Sequence, residues 1–211
     1  MGSRASLGWL VPLLALLVAG CASAPPEPPR QDLSATPPGD WTRQAEALQA
    51  FDHWRLTGKI AVHQGDDDES AVINRWEQSG RRFDVQLSSA FLGLGTTRVQ
   101  GTRDAIWLTN SDGETFYSDN PEQLMFDATG WHLPLGALIY WVRGIPAPGG
   151  DSQRWFTPEG QLARFNQNGW TVRVNRHKQW IPDLPALPRL ITLTRDDIRI
   201  RLAVTQWQPN A

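Results

Sequence analysis

Few side chains in this sequence have the type and spacing that catalysis requires. Hydrolysis needs a nucleophile, a base and an orienting group held close together, yet the chain has no Gly-x-Ser-x-Gly motif and only one cysteine, Cys21. Gly93-Leu94-Gly95 is a lone Gly-x-Gly without the continuation of a phosphate-binding loop. The histidines lack the spacing of metal ligands; they are His53, His63, His132 and His177. The sequence therefore predicts a protein that is not an enzyme and that holds no metal or cofactor.

The acidic run Asp66-Asp67-Asp68-Glu69 is the one cluster that could suggest calcium. It lacks the spaced ligands and the distal bidentate glutamate of an EF-hand loop. We favour a solvated hairpin tip over a calcium site.

Cys21 lies in a context that indicates lipid chemistry. Arg4 precedes an almost wholly apolar run, Leu7 to Ala19, which is shorter than the roughly 20 residues that span a bilayer and typical of a signal peptide. Val18-Ala19-Gly20-Cys21 resembles the lipobox of bacterial lipoproteins, in which the cysteine is acylated and becomes the new N-terminus. Residues 1–20 are thus predicted to be a cleaved signal peptide, with an ordinary secretory signal as the alternative. In lipoproteins an aspartate after the cysteine commonly means inner-membrane retention, so Ala22 implies the outer membrane.

The next segment has the composition of a tether. Residues 21–39 are rich in Pro, Ser and Ala and nearly free of large apolar residues, so they cannot build a core and favour an extended chain. Residues 40–211 are predicted to form one domain, stabilised without any internal disulfide because no second cysteine exists. The net charge of −2 argues against a nucleic-acid partner.

Most of the predicted domain alternates apolar and polar residues with the period of a β-strand. Turn-forming pairs such as Ser79-Gly80 and Asn168-Gly169 separate the runs. About ten or eleven strands result, mostly in hairpins, and an antiparallel meander of this length curls. The last strand, Ile198 to Trp207, places isoleucine, leucine and valine on one side and arginines on the other.

Three short helices are predicted around this meander. Asp40 precedes one with Trp41, Ala45 and Leu48 at helical spacing, and Asn120-Pro121 begins a second. The third runs from Pro134 to Arg143 and is apolar nearly all round, so it must be covered or must cover something apolar. Core packing and a lid over a ligand cavity both satisfy that pattern.

The loop Ala90 to Gly95 is unusually apolar for a connection between strands. It carries Phe91, Leu92 and Leu94 among small residues, and each such side chain contributes roughly 1.5–3 kcal/mol when buried. The loop either folds back under the sheet or dips into a bilayer or a partner's groove.

Taken together, the chain resembles the LolB family, the outer-membrane receptors of the lipoprotein-localisation pathway. The resemblance extends from the lipobox to the C-terminus, and the run Tyr140 to Gly149 (YWVRGIPAPG) is its most distinctive part. Its other segments are Trp54 to Ala61 (WRLTGKIA), Phe83 to Leu87, Leu133-Pro134-Leu135, Leu187-Pro188-Arg189 with Leu193-Thr194, and Gln206-Trp207.

The resemblance implies a mainly β fold, an unclosed and strongly curved antiparallel barrel with a lid of short helices over an apolar cavity. It implies a monomer that accepts acylated lipoproteins from a periplasmic carrier of the LolA type. The cargo is then inserted into the inner leaflet of the outer membrane, and the lipid on Cys21 holds the receptor at the periplasmic face of that membrane. An exposed leucine needed for membrane delivery in the family corresponds to Leu92, where Phe91 replaces the commoner proline and Leu94 is an addition.

Alternation of the strands and of the third helix predicts which side chains face the cavity. They are Leu56, Ile60, Val72, Trp76, Phe83, Val85, Leu138, Val142, Ile200, Leu202 and Val204. Because side chains alternate with period two, a register error of one residue would invert a whole strand. The alternative functions are a lipid-anchored carrier of other lipids or a structural outer-membrane lipoprotein.

Overall fold

Eleven strands form a single antiparallel sheet in the computed structural model, which describes residues 32–89 and 95–210. The predictions for residues 1–31, including the signal peptide and Cys21, and for Phe91, Leu92 and Leu94 concern residues outside this described part. In chain order the strands are β1 His53–Gln64, β2 Asp67–Ser79, β3 Arg82–Ser89, β4 Gly95–Gly101, β5 Ile106–Thr109, β6 Thr115–Ser118, β7 Gln153–Phe156, β8 Leu162–Gln167, β9 Trp170–Lys178, β10 Leu187–Arg195 and β11 Ile198–Pro209.

The sheet order is β6-β5-β4-β3-β2-β1-β11-β10-β9-β8-β7, so two meanders join where β1 pairs with β11. β6 and β7 are the two edges, and they do not pair with each other. The sheet is therefore not closed. The predicted fold class, a mainly β antiparallel sheet that stays open and carries short helices, is confirmed.

Three helices occur among the described residues: α1 Trp41–Ala50, α2 Pro121–Thr129 and α3 Leu135–Trp141. They match the three predicted helices, and the Asn120 side chain accepts a hydrogen bond from Gln123 N at 3.3 Å at the start of α2. Gly130 ends α2 with a φ of 72°, a left-handed conformation that glycine adopts without cost.

The connection that contains α2 and α3 joins the two edge strands, β6 and β7. It packs on the inner face of the sheet, because Met125 of α2 and Leu138 of α3 line the same cavity as Leu202 of the central strand β11. We call α2, α3 and the linker 130–134 the lid.

Bulges interrupt the central strands. The register shifts between Thr57 and Gly58, where β1 pairs with β11, and a Cβ on Gly58 would lie 2.4 Å from the Ala203 carbonyl oxygen. Only glycine allows the backbones to approach this closely. Bulges bend a strand and increase its twist, which supports the curvature predicted for a sheet of this length.

A second bulge corrects one predicted side-chain position. β2 and β3 shift register between Ile73 and Arg75, so Ala71 and Ile73 point inward before the bulge and Trp76 points inward after it. Val72 therefore lies on the outer face, 42% exposed. Its predicted place in the cavity was wrong because uninterrupted alternation from Val72 to Trp76 was assumed.

The edge strand β7 is covered by a part of the predicted tether. Ser34 exchanges two backbone hydrogen bonds with Phe156, of 3.0 and 2.8 Å. Trp41 of α1 then packs edge-on against the Phe156 ring, with ring centroids 5.0 Å apart. An exposed edge strand would invite pairing with another chain, and these contacts cover part of it.

Candidate functional site

The inner face of the sheet and the lid enclose an apolar cavity. Strands β1 to β4 and β11 supply its floor, and the lid supplies its roof. The lining side chains are all apolar: Ile60, Ile73, Trp76, Phe83, Val85, Leu87, Val99, Met125, Leu133, Leu135, Leu138, Ile139 and Leu202. Such a surface offers nothing for polar chemistry and suits alkyl chains.

Six of the predicted cavity residues line it: Ile60, Trp76, Phe83, Val85, Leu138 and Leu202. Four others are buried in the surrounding core without lining it, namely Leu56, Val142, Ile200 and Val204. Strand and helix alternation predicts that these four side chains point inward. Whether an inward side chain reaches the cavity surface depends on the neighbouring side chains that cover it. Contact of any of these residues with acyl chains stays a prediction.

Sequence reasoning missed seven lining residues: Ile73, Leu87, Val99, Met125, Leu133, Leu135 and Ile139. Leu87 shares the alternating face of Phe83 and Val85, so the signal for it was present in the sequence. Ile73 was assigned to the wrong face because of the β2 bulge. Val99 stands alone in the otherwise polar β4, and the orientation of the lid residues depends on how the lid crosses the sheet.

The cavity is narrow with the lid in this position. Its cavity volume is only about 50 Å³, although the empty space between the lining side chains totals about 530 Å³ when the part that opens to solvent is included. At ~10–15 Å³ for each water molecule, the cavity volume holds only a few waters. Long acyl chains do not fit unless the lid moves.

A buried arginine fixes one end of the lid. Arg143, just after α3 and 3% exposed, donates from Nη1 to the carbonyl oxygens of Leu48, Gln49 and Phe51 at 2.8–3.1 Å and from Nε to that of Ile139 at 3.1 Å. These carbonyls include the C-terminal end of α1, where the helix dipole favours a cation. Burial lowers the pKa of Arg143 to about 10, so the guanidinium is charged at neutral pH.

A buried amide also holds this end. Gln167 of β8 accepts hydrogen bonds from Trp141 Nε1 at 2.9 Å and from Ala147 N at 2.8 Å, and donates to the Ala147 carbonyl at 2.7 Å. The C-terminal end of α3 is thus tied to the sheet and to α1.

The linker in the middle of the lid has a different attachment. Trp131, in the linker between α2 and α3, donates from Nε1 to a Glu69 carboxylate oxygen of β2 at 2.5 Å. Elsewhere, α2 and the first turn of α3 contact the cavity through apolar side chains such as Met125 and Leu135. Among the described residues, the C-terminal end of the lid is therefore held by the buried polar groups of Arg143 and Gln167, and its linker by the hydrogen bond to Glu69.

The residues considered for catalysis do not come together. His53 is hydrogen-bonded to Asp52 and His63 to Asp68, His132 stacks on Phe126, and His177 is half-buried in a small cavity that Leu48 of α1 also lines. No group of three His, Cys, Asp or Glu side chains that could hold a metal ion occurs in residues 32–89 and 95–210. Asp66, Asp67 and Asp68 are exposed at the β1–β2 turn.

None of the helices among the described residues is long and apolar enough to cross a membrane.

Comparison with known proteins identifies the relatives of the chain. A family model described as "Outer membrane lipoprotein LolB" matches residues 52–207. The outer-membrane lipoprotein LolB of Marinobacter nauticus is 45% identical over 198 residues, covering 94% of this chain and 95% of its own. That of Chromohalobacter salexigens is 37% identical over 201 residues, covering 95% and 89%.

Solved structures share the fold at low identity. An outer membrane lipoprotein-sorting protein domain from Vibrio parahaemolyticus superposes with a TM-score of 0.53 at 10% identity, covering 80% of this chain and 92% of that one. A DUF1329 family protein from Desulfovibrio piger gives a TM-score of 0.51 at 6% identity. At these identities the likeness concerns the fold alone.

Proposed function

The chain belongs to the LolB family of outer-membrane lipoproteins, and from that premise we propose that its cavity shelters the acyl chains of lipoproteins in transit. Membership of this family establishes an outer-membrane lipoprotein with a role in lipoprotein localisation. The individual steps of transfer are our proposal. The receptor takes acylated cargo from a soluble carrier of the LolA type and passes it to the inner leaflet of the outer membrane, as a monomer and without making or breaking a bond.

The observation that carries this proposal is the apolar cavity beneath a lid that is tied down at one end. Each methylene moved from water into such a cavity is stabilised by about 0.8 kcal/mol, so exposing several acyl chains to water would cost tens of kcal/mol. Transfer between two shielded cavities avoids that cost. The closed cavity is too narrow for the cargo, so the lid opens on its α2 side while Arg143 and Gln167 hold the α3 end.

The remaining parts of the proposal concern the N-terminal segment and the loop between β3 and β4. Residues 1–20 are removed, Cys21 receives the lipid, and residues 21–39 connect that lipid to the domain formed by residues 40–211. Leu92, with Phe91 and Leu94, contacts the bilayer during delivery. The lipid on Cys21 is the only non-protein group required.

A cavity-filling substitution tests the acyl-chain site. Val99→Phe adds a ring to the cavity floor, whereas Val174→Phe adds the same ring at a buried valine that does not line the cavity. Overpacking costs each variant about 1–3 kcal/mol. We expect Val99→Phe alone to lose acceptance of a triacylated lipoprotein from the loaded carrier, measured by co-elution in solution, with thermal unfolding as a check that both variants fold.

Equal acceptance by the two folded variants would contradict the cavity as the acyl-chain site. Selective uptake of free lipid, with no uptake of lipoprotein, would favour a carrier of other lipids.

A further inference from the structure

The outer face of the sheet carries a group of cations that the proposed transfer does not use. We define the basic face as the exposed side chains Lys59 of β1, Arg173 and Arg176 of β9, and Arg199 and Arg201 of β11. Four of them lie on the opposite side of the sheet from the cavity, because the inward residues Ile60, Val172, Ile200 and Leu202 alternate with them. Arg176 joins them because the register of β9 and β10 shifts between Val174 and Arg176, which turns Arg176 outward.

The pairing register brings these cations together. Thr192 of β10 lies opposite both Arg173 and Arg201, so these two arginines are two strand spacings apart, about 10 Å. Arg201 lies opposite Ala61, two residues along β1 from Lys59. The basic face thus spans four adjacent strands, a width of about 15 Å.

No counter-charge neutralises them within the sheet. In the part of the chain that the structure describes, none of the five cationic side chains forms an ion pair or a hydrogen bond, whereas Arg55 of β1, Arg75 of β2 and Arg98 of β4 all pair with Glu77 or Asp84. Asp68 of β2, two strands from Arg199 in the pairing register, is hydrogen-bonded to His63. Clustered like charges without partners repel each other, so an anionic surface would stabilise them.

The chemistry between the cations favours a membrane over a protein partner. Protein interfaces centre on buried aromatic or other large anchors, and the exposed aromatic side chains, Trp107, Phe116 and Tyr117, lie on β5 and β6 instead. The basic face holds alanines and threonines between its cations, such as Ala61, Ala203 and Thr192. An array of point charges without a pocket between them suits a layer of phosphate headgroups, which presents negative charge without fixed positions.

We propose that the basic face docks the domain on the anionic phospholipid headgroups of the membrane to which the lipoprotein is attached. The lipid anchor already places the domain beside that surface, so weak attraction by several cations is enough to orient it. Because the cavity and the lid occupy the opposite face, a domain docked in this way leaves its lid open to the periplasm, from which cargo arrives. This inference concerns orientation and does not depend on cargo transfer.

Vesicle binding by the chain without its lipid tests the proposal. The parent is the mature chain 21–211 with Cys21→Ala, which changes only the lipid attachment. The test variant adds Arg173→Gln, Arg199→Gln and Arg201→Gln. The matched control adds Arg43→Gln, Arg81→Gln and Arg82→Gln, exposed cations of α1 and of the β2–β3 turn, outside the basic face, so both variants lose the same charge.

Sedimentation with vesicles of phosphatidylglycerol and phosphatidylethanolamine gives the readout, and phosphatidylcholine vesicles give the neutral reference. Each cation near an anionic surface raises the vesicle partition coefficient about fivefold. We therefore expect the loss of three cations to lower the partition coefficient of the test variant about a hundredfold relative to the parent. The control should lose far less, and raising the salt concentration should remove the difference between parent and test variant.

Equal losses in the two variants would mean that net charge, not this face, drives binding, and would overturn the proposal. Unchanged vesicle binding by the test variant, together with impaired acceptance of cargo from the carrier, would instead assign the face to an acidic protein. Neither result would bear on the cavity as the acyl-chain site, because the Val99→Phe variant is tested in solution without vesicles.

Discussion

At the scale of single residues, burial shifts the pKa of one histidine, His177. His177 lines a small cavity with Leu48 and Arg143 beneath α1, and burial lowers its pKa to about 4 from its ordinary value of 6.5. The neutral imidazole is therefore the form that the folded protein accommodates.

We predict that His177 makes the domain sensitive to acid. A histidine whose folded pKa is depressed contributes stability that is fully present above pH 6.5 and is lost as the pH falls toward 4. The loss amounts to roughly 3 kcal/mol at the acid end. Urea unfolding between pH 7.5 and 4 should show a shallower decline for His177→Gln than for the parent, and identical slopes would contradict the assignment.

Leu92 belongs to the same scale, although it lies outside the described residues. The strands that flank its loop pair from Ser89 opposite Gly95, which leaves residues 90–94 as the connection. We predict that Leu92→Glu accepts cargo from the carrier but does not pass it to liposomes, because a carboxylate is costly to bury in a bilayer. Normal delivery would remove the loop from the mechanism, and loss of acceptance would mean that the loop shapes the cavity.

At the scale of elements, more hydrogen bonds hold the C-terminal end of the lid, after α3, than hold α2 and the linker. Arg143 and Gln167 make several buried hydrogen bonds near α3, while Trp131 and Glu69 make one charge-assisted hydrogen bond on the α2 side. Charge-assisted bonds are roughly twice as strong as neutral ones. The Trp131–Glu69 bond therefore adds to the apolar contacts that hold α2 and the linker on the sheet.

We predict that Glu69→Gln loosens the α2 side of the lid. Weakening the bond by about 1 kcal/mol raises the open population about fivefold, so amide hydrogen exchange in α2 should accelerate by that factor while exchange at Arg143 stays unchanged. The matched control is Asp67→Asn, an exposed carboxylate on the same strand. Acceleration in both variants, or in neither, would contradict a role for this bond.

The elements also show how far sequence reasoning reached. Alternation predicted the strands and the inward direction of Ile60, Phe83 and Leu202, because period two is a local property of the chain. It failed at Val72, since a bulge depends on how β2 pairs with β3 and not on the identity of the residues nearby. It also missed Met125 and Leu133, because the direction in which the lid crosses the sheet is set by tertiary contacts.

At the scale of the whole molecule, the first and last strands meet in the middle of the sheet. β1 and β11 pair from Trp54 opposite Pro209 to Gln64 opposite Ile198. The connection with the lid then joins the two outermost strands across the cavity. The sheet thus lies within residues 53–209, and we propose that attachment to the membrane through Cys21 is separable from its folding.

That separation leads to a prediction for Cys21→Ala. Without the acyl group the chain should fold with the same thermal midpoint, because the described sheet and its core lie entirely within residues 32–210. It should still accept cargo from the carrier in solution, since the cavity is intact, but cell fractionation should find it away from the outer membrane. A lipid anchor binds a membrane far more durably than protein contacts of a few kcal/mol, so even the basic face and Leu92 together should not retain the variant through fractionation. A variant that stayed in the outer membrane would show that contacts of the folded domain, not the lipid on Cys21, fix its location; a variant that failed to take cargo would show that the lipid forms part of the binding site.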